Sequence, residues 1–186
     1  MSLTAPYGFL RVAVACPPVT VGDPARNLSG ILDFVGRAGE QGVQVLVFPE
    51  LSLTGYTCAD LFFSRTLQRE AVASLERLLA ETQKQPMLIA VGLPLESNGR
   101  LFNVAALCQA GQLLGVVPKT FLPGYDEYYE ERWFSSAREA LVRELRVGER
   151  VAPFGNDLIF ELSGEADVSV ASASPWPTRS SSRAKP

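Results

Sequence analysis

The sequence predicts a mixed α/β fold with at least five strands, and three observations carry that prediction. Short β-branched apolar runs alternate with two amphipathic stretches of helical period through the first 93 residues, the strand–helix–strand order of a parallel sheet. Two turn signals, Asn98-Gly99 and Ala110-Gly111-Gln112, then join apolar runs with no room for a helix between them, so hairpins follow. Two of the strands stop on a proline followed by a charged residue, FPE at 48–50 and VPK at 117–119. The carboxyl ends of strands are where open α/β sheets place ligands.

Each element has its own signal. Residues 10–15 (LRVAVA) alternate and form the first strand, ended by Pro17-Pro18. Leu28, Ile31, Leu32, Val35 and Ala38 recur at helical spacing, with Asn27 placed as N-cap and Gly42 just past the end. Residues 43–48 (VQVLVF) make the second strand. Asp60 is expected to cap a second helix that shows Leu67, Ala71, Val72, Leu75, Leu78 and Leu79 on one face, with Lys84 and Pro86 marking its end. A third strand at 87–93 is closed by Pro94, and strands at 101–109 and 113–117 follow. A helix over 136–145 and a strand at 158–162 come last. From 163 the text is rich in Ser, Pro and Ala with almost no apolar period, a composition that predicts disorder for most of it. The expected organisation is a domain at 1–162 and a tail at 163–186.

Composition narrows the function. The chain has 186 residues, 47% hydrophobic and 20% charged, enough for one domain with a sizeable core. A net charge of −3 offers no basic stripe for nucleic acid. No apolar run approaches the ~20 residues of a membrane helix, and the first residues lack the basic start of a signal peptide, so a cytoplasmic location is expected. Three cysteines without tight spacing (Cys16, Cys58, Cys108) argue against a disulfide framework or zinc site. The chain has no histidine, so Ser-His-Asp and Cys-His catalysis have no base here.

Three groups of residues could carry chemistry. Glu50, at the end of the second strand, is either a solvated carboxylate or a general base. Lys119 ends a later strand in the same context and is either a surface charge or an oxyanion partner. If the two strands are parallel neighbours, the two side chains meet at one sheet end. Tyr125, Glu127, Tyr128, Tyr129, Glu130 and Glu131 form an aromatic, acidic segment. It is either a charged loop tucked onto the core or a wall facing substrate. The cysteines read as small core residues. No Walker A or GxGxxG loop is present.

At these residues a resemblance becomes specific. FPELSLTGYTCADLF, VGLPLESNGRLFNVAAL, GVVPKTFLPGYDEYYEERWF and PFGNDLIFE resemble the glutamine amidotransferase domain of bacterial glutamine-dependent NAD synthetases, within the nitrilase (carbon–nitrogen hydrolase) superfamily, from about residue 7 to 160. That resemblance implies an α-β-β-α sandwich, here incomplete at its C-terminal side, and a Glu-Lys-Cys triad. It makes Glu50 the base and Lys119 the oxyanion lysine. It places Tyr125, Tyr56 and Glu130 or Glu131 at the glutamine pocket. It further implies ammonia passed to a synthetase domain or oligomeric partner, which would bind ATP and nicotinic acid adenine dinucleotide; the amidase domain itself needs no cofactor.

The departures set further expectations. No cysteine follows Cys108, and Ser172 and Ser174 stand roughly where the family's nucleophile lies without its Cys-Glu-Asp motif. The switch at 163 suggests a truncated or frame-shifted end, with apolar sheet faces left open to self-association. An inactive remnant or interaction module is the alternative. A stand-alone amidase using Cys58 is a weaker one, because Cys58 lies in a loop.

Overall fold

A computed structural model of the chain describes residues 9–126, 128–162 and 168–171, with 161, 162 and 168–171 as main chain only. Five strands form one sheet in the order β1-β2-β3-β4-β5: β1 (Val12–Val14), β2 (Val45–Val47), β3 (Leu88–Ser97), β4 (Arg100–Gln109) and β5 (Gln112–Pro118). The first three are parallel, joined through helices α1 (Pro24–Glu40) and α2 (Arg65–Glu81); β3, β4 and β5 are antiparallel hairpins. Both hairpin turns put two residues at positive φ, Asn98-Gly99 and Ala110-Gly111, as a two-residue turn that follows the sheet's twist requires. The α/β layout read from the sequence is therefore the one that forms.

Strand residues alternate between two faces. One face presents Leu46, Phe48, Ile89, Val91, Leu93, Phe102, Val104, Ala106 and Val116 to the apolar stripes of the helices, Leu28, Ile31 and Val35 of α1 and Ala71, Leu75, Leu78 and Leu79 of α2. This is the main core. The other face carries Val45, Leu88, Ala90, Ala105, Leu107 and Val117, with Leu158 and Phe160 packed against it. Its far end, at Leu101, is covered by Leu51, Cys58, Phe62, Leu67 and Phe134. Its near edge is bare: Val12 is 63% exposed and Val14 76%.

Several elements depart from expectation, each for a local reason. The first two strands are shorter than 10–15 and 43–48. Asn27 is no cap: Asp23 fills that position by accepting from Arg26 N at 3.0 Å, with Pro24 opening the helix. Asn27 is instead buried, donating to the carbonyls of Thr20 (2.8 Å) and Leu53 (2.9 Å) and so joining two loops. Asp60 caps nothing either. It lies in a 3₁₀ turn, Ala59–Phe63, and its carboxylate holds the Arg132 guanidinium and the Trp133 indole N–H.

Pro94 does not close β3. Ala90 and Gly92 direct their main-chain groups toward the β2 side, where Phe48 N and Leu53 N donate to them, and Pro94 follows in the same phase. By that point β2 has ended, so the missing N–H of the proline is not needed. The helix expected over 136–145 is a single 3₁₀ turn, Ala137–Glu139, followed by the hairpin β6 (Glu144–Val147) and β7 (Arg150–Pro153). Leu145, Val147, Ala152 and Phe154 extend the helix-side core from there. Finally, β8 (Ile159–Leu162) pairs with β9 (Val168–Ala171), so four residues of the segment expected to be disordered form a strand. The remainder of 163–186, Ser172 and Ser174 included, lies outside the described residues.

Candidate functional site: a lysine between two carboxylates

The site begins with a crossing of two main chains. After β2 the chain turns over β3 at Gly92, where a Cβ would stand 2.8 Å from the Pro49 carbonyl oxygen and 2.9 Å from the Glu50 carbonyl carbon. Only glycine allows that approach. Leu53 N donates to Gly92 O at 3.0 Å, and the Ser52 hydroxyl accepts from Gly92 N at 3.2 Å. Glu50 is thereby carried out over β3 toward β4.

Lys119 follows β5 directly. Its main-chain N–H donates to Asn103 O on β4 at 2.8 Å, and its carbonyl accepts from Ala137 N at 2.9 Å. The next residue is held as well, because the Ser136 hydroxyl donates to Thr120 O (2.6 Å) and Asn156 Nδ2 to Thr120 Oγ1 (2.9 Å). So β2 and β5 run in the same direction but are not neighbours; β3 and β4 lie between them. The two side chains meet because the Glu50 segment crosses that gap.

They meet closely. Lys119 Nζ lies 2.9 and 3.2 Å from the two oxygens of Glu50 and 2.8 Å from each oxygen of Glu130. Asn103 Nδ2 also donates to Glu50 Oε1. The Glu130 side chain is 2% exposed, that of Lys119 12% and that of Glu50 32%, so the arrangement opens to solvent on the Glu50 side. Two carboxylates against one ammonium leave the site a formal charge of −1. The Tyr56 hydroxyl donates to Glu130 Oε1 at 2.6 Å. Burial, then the anionic partner that accepts this bond, raises the Tyr56 phenol well above the ordinary tyrosine range.

A cavity of about 480 Å³ opens beside these groups, lined by Glu50, Tyr56, Lys119, Tyr125, Tyr128 and Glu130 with Phe121, Leu122 and Pro123. Tyr128 meets Tyr56 and Tyr125 edge-on, with ring centroids 6.4 and 5.8 Å apart, which makes one wall aromatic. Of the residues singled out from the sequence, Glu50, Tyr56, Lys119, Tyr125, Tyr128 and Glu130 thus share one cavity, which the exposed Tyr129 does not line. Glu131 does not: it is exposed, outside the lining, because the short helix α3 (Glu130–Trp133) points adjacent side chains apart. Glu127 lies outside the described residues. Sequence reasoning missed Asn103, although an asparagine inside the apolar strand text LFNVAAL is a signal of its own.

None of the three cysteines lines the cavity. Cys108 is buried in the helix-side core, where desolvation pushes its thiol up to about 12. Cys58 is buried too; desolvation raises it, and its Sγ donates to Thr54 O at 3.1 Å. Thiols of this kind are poor nucleophiles. Cys16 is exposed, two residues past β1. Among the described residues no helix is long and apolar enough to cross a membrane.

The chain is 36% identical over 157 residues to the glutamine-dependent NAD(+) synthetase of Mycobacterium tuberculosis (strain ATCC 25618 / H37Rv), a match covering 84% of this chain and 23% of that protein. It therefore spans about a quarter of that relative. Among solved structures, a glutamine-dependent NAD(+) synthetase from Cytophaga hutchinsonii superposes with a TM-score of 0.75 at 28% identity, over 81% of this chain and 26% of that one. An amidase from Nesterenkonia sp. reaches 0.61 at 28% identity, over 76% and 53%. The sequence profile described as carbon-nitrogen hydrolase spans residues 11–169, and the chain belongs to that family.

Proposed function

We propose that this site binds the side-chain carboxamide of glutamine, as the amide-hydrolysing part of a system that delivers ammonia to ATP-dependent NAD synthesis. The observation that carries the reading is the Lys119 ammonium seated between Glu50 and Glu130 at the floor of an aromatic-walled cavity. Glu50 accepts the proton of the attacking group, and Lys119 donates to the oxygen that becomes negative as the carbonyl is attacked. Lys119 starts with every N–H directed at a carboxylate. Once Glu50 is protonated its pull on the ammonium falls, which frees a donor for the oxyanion at the moment charge develops. Tyr125 and Tyr128 are the wall against the glutamine chain. ATP and nicotinic acid adenine dinucleotide belong to a synthetase partner domain, and the location is cytoplasmic.

A second reading, a binding module without turnover, is favoured by the position of the cysteines, none of which reaches the cavity. One experiment separates the two. The purified chain is incubated with glutamine and with a diazoketone analogue of glutamine, and ammonia release and covalent mass are followed. Binding of glutamine with neither ammonia nor label is the result expected of a binding module without turnover. Ammonia release would establish turnover, a label on Cys58 would support a stand-alone amidase, and no glutamine binding would overturn the proposal.

A further inference from the structure

We propose that Asn103 is a positioning residue that decides which oxygen of Glu50 takes the proton. The inference rests on Glu50 being the base of this site. Asn103 lies within β4 and is buried, on the same sheet face as Gly92 and Ala105. It touches both charged partners. Its side-chain amide donates to Glu50 Oε1, and its main-chain carbonyl accepts the N–H of Lys119 at 2.8 Å. A carboxylate only accepts, so the group facing it is the NH₂ of Asn103.

The two oxygens of Glu50 are unequal as a result. Oε1 accepts from Asn103 and from Lys119 at 2.9 Å, while Oε2 has Lys119 alone, at 3.2 Å. The more weakly held oxygen keeps lone pairs for an incoming proton. The two donors also respond differently once that proton arrives. The ammonium loses most of its electrostatic attraction to a neutral carboxyl. The amide of Asn103 is uncharged, so its bond to Oε1 persists. Asn103 then holds the carboxyl in place while Lys119 moves toward the new oxyanion. Without it, Glu50 could rotate with the lysine, and its two oxygens would differ only by their 2.9 and 3.2 Å contacts to Lys119.

Side-chain NMR on the full-length chain tests this without requiring turnover. In the unsubstituted protein the Asn103 amide gives a downfield proton that moves upfield in Glu50→Gln, where the charged acceptor is gone. In Asn103→Leu, which has nearly the same shape but no donor, exchange of the Lys119 ammonium protons with water speeds up severalfold, and Asn103→Gln restores part of the protection. A purely structural asparagine would lower the melting temperature in Asn103→Leu and leave Lys119 exchange unchanged, which overturns the proposal. If Asn103→Leu does not fold, the Glu50→Gln spectrum decides: an Asn103 amide that does not move overturns it as well. Failure of the chain to bind glutamine would bear on the proposed function and would leave these spectra as they are.

Discussion

The two faces of the five-stranded sheet are built from similar residues and do different work. The helix side is closed, with Phe102, Ile89 and Val91 packed under α1 and α2. The other side is covered in patches: by the 3₁₀ turn and Phe134 at one end, by Leu158 and Phe160 in the middle, and, among the described residues, by nothing over Val12 and Val14. The site lies on this second side, at Asn103, between the first two patches. Stability is concentrated on the face that carries no chemistry, and the chemistry sits on the face whose cover is discontinuous.

Substitutions can break that contrast in order of size. Phe102→Ala removes a fully buried ring that meets Phe154 at 5.4 Å, and a loss of about 4 kcal/mol is expected from chemical denaturation. An effect below about 1 kcal/mol would mean that the helix side is not the main core. Lys119→Met leaves the buried Glu130 facing Glu50 with no cation between them and is expected to cost about 3 kcal/mol, nearly as much as a core ring. A neutral result there would mean that the carboxylates rearrange outward.

Tyr56→Phe deletes one hydrogen bond to a buried anion, for about 1.5 kcal/mol. Its signature is a pH slope. The native state favours the protonated phenol, so this stabilisation is complete below the unfolded tyrosine value of about 10 and is lost as pH rises beyond it. Melting curves of the unsubstituted chain and the variant should therefore converge above that pH. The smallest effect belongs to the bare edge: Val12→Ser with Val14→Ser should change stability by no more than about 0.5 kcal/mol per site. The same pair should reduce self-association in sedimentation velocity, and unchanged association would place the sticky surface elsewhere.

Much of this was readable from the chain, and the failures have physical causes. The hairpin turns were legible because Asn-Gly and Ala-Gly must take positive φ. Glu50 and Lys119 were legible as a pair because both follow a strand-ending proline. Their route to each other was not, since the crossing depends on a contact between two main chains at Gly92 that no local pattern reports. The segment 136–145 forms no helix past its 3₁₀ turn, because Leu145 alternates with Val147 into the core as a strand while Leu141 is exposed. In the first strand the valines face outward and the alanines inward. Alternation alone reveals two faces but not which of them is covered.

The crossing at Gly92 also matters to anyone who would redesign this protein. Because main chain rests on main chain there, the distance between the sheet and Glu50 is set by atoms that every amino acid shares. Repacking the interior with other apolar residues would leave that distance unaltered. A single added methyl at position 92 would not, and the protein could keep its fold and lose its site in one codon.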